Sequence, residues 1–244
     1  MSDKLPVSVI ITTYDPGNGS RFNLLYQTIQ SLLDNLKYPN LEWIITDDSE
    51  PVVHQELLVN LQEKFKETSF KVFNTNRRGV GFGKNQALRE AFKTSHLVIL
   101  GEDDWVMRNP FDLLPHIQLM LDNPDIGIIR LGFLGGFLKA TYTDYGYPLT
   151  YWSIDPSSGF YAYSGQISIR SKVWYDNVGY HAEGIQAGQE EEDMCRRTGE
   201  LAAVKTLPKI LWPAQYGSTL NSLGGIFVNI GLGSSVNSVV PAGA

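Results

Sequence analysis

The first 131 residues alternate between two hydrophobic periods, and that alternation limits the fold more than any other feature. Val7-Ser8-Val9-Ile10-Ile11-Thr12-Thr13 is a β-branched run that follows Pro6 and is too short for a stable helix. Between Phe22 and Leu36 apolar residues recur at Leu25, Ile29, Leu32, Leu33 and Leu36, the spacing of one helix face. Turn-forming Asp15-Pro16-Gly17-Asn18-Gly19-Ser20 separates the two. The same exchange predicts strands over 41–46, 70–73, 97–100 and 126–131, with helices over 53–65, 83–93 and 112–122. Strands separated by helices at this rhythm build βαβ units. The expected fold is α/β, with a central, mostly parallel sheet flanked by helices.

Two strand ends carry acids. Asp47-Asp48 follows the 41–46 run, and Glu102-Asp103-Asp104 follows the 97–100 run after Gly101. In one parallel sheet both clusters lie along the carboxyl edge, where open α/β sheets bind ligands. One can accept hydrogen bonds from a base or ribose. The other offers hard oxygen ligands that suit Mg²⁺ or Mn²⁺, which in turn hold phosphate oxygens. Read singly, each is also an ordinary solvated acidic turn; the pairing gives them meaning.

The remaining constraints are mostly exclusions. The net charge of −6 leaves no basic field for nucleic acid. Cys195 is the only cysteine, so no intrachain disulfide forms, as expected in a reducing compartment. Met1-Ser2-Asp3-Lys4 opens no apolar leader, and no apolar run approaches the ~20 residues that span a bilayer. A soluble, cytoplasmic protein is expected.

Three further segments have the composition of a site. Asn76-Arg77-Arg78-Gly79-Val80-Gly81-Phe82-Gly83-Lys84-Asn85 looks like a phosphate loop but matches neither G-x-x-x-x-G-K-[ST] nor G-x-G-x-x-G, and reads equally as a flexible helix entry. Gln189-Glu190-Glu191-Glu192-Asp193-Met194-Cys195-Arg196-Arg197 is either the wet face of a helix or a second carboxylate centre. Tyr142 to Trp152 and Gly159 to Tyr163 are dense in aromatics, serving as sugar platforms or as core. The four histidines show no ligand spacing.

Taken in order, Val7 to Tyr14, Ile45-Thr46-Asp47-Asp48-Ser49, Asn76 through Gly79 to Lys84-Asn85-Gln86-Ala87, and Glu102-Asp103-Asp104 resemble the family 2 glycosyltransferases of the GT-A (Rossmann-like) fold over roughly residues 5–215. The resemblance implies one GT-A domain over 1–218. Residues 1–131 would form its nucleotide-sugar-binding half and 132–218 its acceptor and catalytic-base half, with a tail of unassigned role over 219–244. It implies that Thr12 and Asp48 contact the base and ribose with Tyr14 beside them, Asp47 being the weaker member of its pair. Asp104 and Glu102 fall on the outer, metal-binding positions of a DxD-type motif, and Asp103 would contact sugar or ribose. Lys84 stands where the family commonly has arginine and would bring a point charge to the diphosphate, without the bidentate fork of arginine. Gln166 lies in the segment that lines the donor-sugar and acceptor pocket. Glu191 matches the catalytic base, usually an aspartate, with Glu190 and Glu192 as close rivals.

The implied activity is metal-dependent, inverting transfer of a sugar from a nucleotide-diphosphate sugar to a hydroxyl acceptor by in-line displacement. UDP is the family's commonest donor nucleotide. Glycan, lipid-linked and protein acceptors all stay open. The chain departs from the family after the base helix. A histidine often stands there, whereas Trp212 to Ser218 holds none, leaving Gln215 or Tyr216 as weak substitutes or the metal to rely on Asp104 and the diphosphate. The tail is Gly-, Ser- and Asn-rich, and reads as a lid, an oligomer contact or a loose terminus. Two other activities share these features: a non-catalytic nucleotide- or glycan-binding protein, and a sugar nucleotidyltransferase. The latter needs a basic, glycine-rich first loop, and here only Arg21 is basic.

Overall fold

The computed structural model describes residues 5–132, 139–157, 162–214 and 226–231. The first half runs β1 (Val7–Thr13), α1 (Ser20–Asn35), β2 (Leu36–Lys37), β3 (Leu41–Asp47), α2 (Pro51–Lys64), β4 (Phe70–Asn74), α3 (Val80–Ala91) and β5 (Leu97–Glu102). It continues with β6 (Trp105–Met107), β7 (Phe111–Asp112), α4 (Leu114–Asp122) and β8 (Ile126–Arg130). The second half adds β9 (Ala140–Asp144), β10 (Thr150–Ile154), β11 (Ser168–Ser171), α5 (Lys172–Val178), α6 (Gln189–Ala202), β12 (Lys209–Pro213) and β13 (Phe227–Asn229).

Nine strands form one sheet in the order β4-β3-β1-β5-β11-β8-β12-β10-β9. β4, β3, β1 and β5 are parallel, β11 runs against both β5 and β8, and β12 is parallel to β8. Strands before and after residue 132 therefore share one sheet. The continuous apolar runs are explained by burial on both faces. Val9, Ile11, Trp43, Ile45, Ile99 and Ile129 pack with α1, α2 and α4 on one face. Their neighbours Ile10, Ile44, Val98, Leu100 and Ile128 pack with α3, α5 and α6 on the other. Each strand thus supplies both cores by its period of two.

The chain steps from β1 outward to β3 and β4, then returns through α3 to β5 on the other side of β1. That reversal makes a crevice at the carboxyl ends of β1 and β5. Register places Thr13 beside Asp47 and Thr12 beside Glu102 in one row along this edge.

The predicted elements occur, with shifted starts. α4 begins at Leu114 because Asp112 is taken up in β7; its Oδ1 accepts the Leu114 N–H in a turn that leads from the strand into the helix. α3 begins at Val80, three residues before the predicted start, and so takes in Gly81 and Gly83. These glycines serve close packing: a Cβ on Gly81 would run into the Ala182 carbonyl oxygen, and one on Gly83 would press on Thr46. Part of the tail is also ordered structure, since β13 pairs antiparallel with β6. None of the helices described is long and apolar enough to cross a membrane.

Candidate active site

A cavity of about 270 Å³ opens where the three acidic segments meet. β1 contributes Thr12 and Thr13, and Tyr14 follows them; β3 leads to Asp48; β5 leads to Glu102, Asp103 and Asp104; the start of α6 brings Glu190 and Glu191. Residues from both halves of the chain are gathered because parallel strands all end on one edge. α6 then delivers its first turn there from Gly188, which has a left-handed φ of 89°. Acids in a first helical turn face unpaired N–H groups and the positive end of the helix dipole, so they are tolerated there.

Thr12 and Tyr14 line the cavity, and the Thr12 hydroxyl is buried with no partner among the described residues. Asp48 also lines it. Thr75 Oγ1 donates to its Oδ1 at 2.5 Å, and the Gly79 N–H reaches both its oxygens at 3.1 Å. Burial raises the Asp48 carboxyl above its usual range, with Thr75 and the Gly79 N–H pulling the other way. Asp47 turns elsewhere. It is fully buried, accepts from Ser49 Oγ at 2.5 Å, and meets His54 Nδ1 at 2.8 Å. It shapes the loop below the cavity and is not among the residues that line it.

The three acids after β5 have three different situations. Glu102 lines the cavity, but its Oε1 is taken by Lys84 Nζ at 2.9 Å. Asp103 is 1% exposed and held by Arg21, which engages both its oxygens, and by Thr13 Oγ1 at 2.6 Å. Burial pushes its carboxyl up to about 7 despite the Arg21 charge. The bonds expected from Asp103 to a sugar or ribose are instead made within the chain. Asp104 keeps one buried oxygen, Oδ1, with no partner among the described residues, while Oδ2 lies 3.5 Å from Arg21 Nη2. Burial, then repulsion from Glu102, raises Asp104 above the usual carboxylate range.

Among the described residues no three His, Cys, Asp or Glu side chains form a metal cage. The orphaned Asp104 oxygen nonetheless fits Mg²⁺ or Mn²⁺, because such ions bind through one or two carboxylates and complete their shell with substrate phosphates and water. Gln215 and Tyr216, the expected substitutes for the absent histidine, lie outside the described residues.

Lys84 is 1% exposed and is not among the cavity-lining residues. Its Nζ bridges Glu102 at 2.9 Å and Glu190 at 3.1 Å. Burial alone disfavours the ammonium, but the two carboxylates outweigh it and hold Lys84 charged. The cation facing the cavity is Arg21, at the start of α1. In the sequence Arg21 stands out only as the one basic residue of its loop. Only the packing of α1 against β6 and β1 brings it to Asp103.

The three glutamates of α6 also differ. Glu190 is buried and carries the ion pair with Lys84, Glu191 is half-buried and lines the cavity, and Glu192 is exposed and does not line it. Glu191 Oε1 accepts the Gly165 N–H at 2.6 Å, and a Cβ on Gly165 would crowd both Glu191 oxygens. Gln166 stands next to this contact but does not line the cavity, and its buried Oε1 lies against Gly132.

Two aromatics of the proposed sugar platform are core. Tyr151 is fully buried with its hydroxyl 2.5 Å from His116 Nδ1, and Tyr163 is fully buried with its hydroxyl bonded to Arg170 at 2.5 Å. Tyr142 and Trp152 pack edge to face across β9 and β10, at the edge of the sheet remote from β1. Phe160 and Tyr161 lie outside the described residues.

Comparison with known proteins agrees with this architecture. The model of glycosyl transferase family 2 matches residues 8–175. No curated protein sequence matches the chain. Among solved structures, the chain is similar to the mannosyltransferase PcManGT from Pyrobaculum calidifontis in complex with GDP-Man and Mn²⁺. That match has a TM-score of 0.54 and 15% identity, and covers 85% of this chain and 56% of that one. Residues 1–349 of S. aureus TarS in complex with UDP-GlcNAc match with a TM-score of 0.57 and 19% identity, over 89% and 58%. GalNAc-T7 with UDP, GalNAc and Mn²⁺ matches with a TM-score of 0.59 and 15% identity, over 86% and 42%. The chain therefore spans less than two thirds of each of these. With the family model covering most of its length and the sheet shared with GT-A enzymes, the chain belongs to glycosyl transferase family 2.

Proposed function

We propose that this glycosyltransferase is metal-dependent and inverting, and that it moves a hexosyl unit from a nucleotide-diphosphate sugar, UDP-sugar favoured, to a hydroxyl acceptor. The observation that supports this most is the convergence of Asp48, Asp104 and Glu191 on one cavity from three separate parts of the chain. The similar structures in complex with GDP-Man and Mn²⁺, with UDP-GlcNAc, and with UDP, GalNAc and Mn²⁺ support the donor class.

In this reading Thr12, Tyr14 and Asp48 receive the base and ribose, Asp48 as a hydrogen-bond acceptor. Asp104 would hold Mg²⁺ or Mn²⁺, its Oδ1 having no partner among the described residues. The bound cation supplies neutralisation of the charge that builds on the diphosphate leaving group. Such help is needed, because among the described residues the cavity is lined by six carboxylates (Asp48, Glu102, Asp103, Asp104, Glu190 and Glu191) against the one guanidinium of Arg21. Glu102 and Glu190 are partly balanced from below by Lys84. Glu191 is the general base. Glu190 is committed to Lys84, and Glu192 points to solvent, whereas Glu191 faces the cavity with one oxygen fixed by Gly165. It accepts the acceptor hydroxyl proton as the oxygen attacks the anomeric carbon from the face opposite the diphosphate. One domain over 1–218 carries both halves of this site.

Calorimetric titration of UDP and GDP, with and without Mn²⁺, on the wild type and Asp104→Ala tests the reading. Metal-dependent binding of one nucleotide, lost in the variant, followed by turnover of its sugar donors, is expected. Absence of binding for both nucleotides in the presence of metal would refute it. Binding without turnover would leave a non-catalytic module on the same fold.

A further inference from the structure

We infer that the C-terminal segment Asn229-Ile230-Gly231 is a positioning strap for Asp104, fixing which carboxylate oxygen is presented to the cation. This rests on the proposed metal-dependent reading and deepens it. Ile226 and Phe227 anchor the segment in the core beside Met107 and Trp105. β13 then pairs with β6, setting Phe227 opposite Met107 and Asn229 opposite Trp105, and the Ile226 carbonyl accepts the Arg108 N–H at 3.0 Å. That register carries the next residues across the acidic turn. The Ile230 N–H donates to the Asp104 carbonyl at 2.8 Å, so the backbone of Asp104 is pinned from the tail. The Asn229 Oδ1 accepts the Gly231 N–H at 2.8 Å, which fixes the turn that brings Gly231 against Asp104.

Gly231 completes the fit. A Cβ there would run into Asp104 Oδ2, so only glycine lets the strap close on the carboxylate. Oδ2 is therefore enclosed by Gly231 on one side and Arg21 on the other, while Oδ1 is buried without a partner among the described residues. A lone carboxylate ligand has no neighbouring ligands to orient it, and outer partners of this kind set both its direction and its metal affinity. The strap does this here, from a stretch far beyond Asp104 in sequence.

The test is Mn²⁺ binding in the presence of UDP, read by electron paramagnetic resonance, for wild type, Asn229→Ala and Gly231→Ala. UDP affinity without metal and thermal melting are recorded alongside. Both variants are expected to weaken Mn²⁺ on the order of tenfold to a hundredfold, with metal-free UDP affinity and melting at wild-type levels. Wild-type Mn²⁺ affinity in both variants would overturn the inference. So would a parallel collapse of metal-free UDP binding and melting, which would mean that the segment holds the fold and not the carboxylate. Failure of the underlying reading shows separately: the wild type itself would take up no Mn²⁺ when UDP is bound, or would bind neither.

Discussion

Lys84 and Glu190 are 106 residues apart in sequence and meet at 3.1 Å in the interior, where each side chain is no more than 3% exposed. The pair joins α3 to the start of α6, with Glu102 at the end of β5 as its third member. Removing one partner of a buried pair strands the other charge, so Lys84→Met is expected to cost about 3–5 kcal/mol. Removing the charge of Glu190 as well should recover part of that loss, because two apolar or neutral groups avoid the stranded charge. Urea unfolding of Lys84→Met, Glu190→Gln and the double variant checks this. Additive losses would show that the two residues are not coupled.

The glutamates of α6 separate by kinetics. Glu191→Gln keeps the shape and the Gly165 contact but cannot take a proton, so kcat should fall by roughly 10²–10⁴ with folding intact. Glu192→Gln should leave kcat at the wild-type level, since its side chain is exposed. Glu190→Gln should appear mainly as lost stability. A kcat collapse confined to Glu190→Gln at unchanged stability would move the base to that residue.

The strands and the convergence of acids on one edge were legible in the sequence because period-two runs and strand ends depend on local pattern. Residues 7–13, 43–47 and 97–101 are buried on both faces, and that alone produces near-continuous apolar runs. Whether each acid was free for a ligand was not legible. Asp47 is spent on Ser49 and His54, Asp103 on Arg21 and Thr13, and Glu102 on Lys84, all through partners chosen by tertiary packing. Lys84 resembled a diphosphate contact by position, yet α3 packs so closely under Thr46 and Ala182 that its ammonium faces acids from below. The strap was hidden for a different reason. Asn229 and Gly231 sit in a polar, glycine-rich tail, and only strand pairing with β6 gives those residue types a function.

Two helix glycines should respond in opposite directions to the same substitution. In an exposed helix interior Gly→Ala gains about 1 kcal/mol from backbone entropy. An alanine methyl at Gly199 in α6 would meet no atom within 4 Å, so Gly199→Ala should raise stability by up to that amount. Gly81 in α3 faces the Ala182 carbonyl, a backbone group that cannot step aside. Gly81→Ala should therefore destabilise by about 1–3 kcal/mol and shift the loop that leads into α6. Thermal and urea unfolding of the two variants measures both signs, and a stabilised Gly81→Ala would contradict the close approach of α3 to that loop.

Acid sensitivity should trace in part to His116. The ring is 5% exposed, stacked on Phe111 at 4.5 Å, with Nδ1 2.5 Å from the Tyr151 hydroxyl. Burial lowers its pKa to about 4, Asp112 opposing weakly from nearby. Below its unfolded value of about 6.5, the unfolded chain takes up a proton that the folded chain refuses until about pH 4. The stabilisation is therefore fully present above pH 6.5 and is lost as pH falls across that window, by up to about 3 kcal/mol. His181 works in the same direction, since burial and then Lys84, Arg170 and Arg197 hold it well below its ordinary value. Buried acids with raised values, Asp103 among them, work in the opposite direction, because the folded state then binds protons more readily. The informative quantity is thus the stability gap between wild type and His116→Gln, which keeps a partner for Tyr151 but does not titrate. That gap should favour the wild type most at pH 7 and shrink towards pH 4 in urea titrations. A gap that is constant with pH would mean that His116 takes up its proton at the same pH in the folded and unfolded chain, so that burial does not hold the ring neutral.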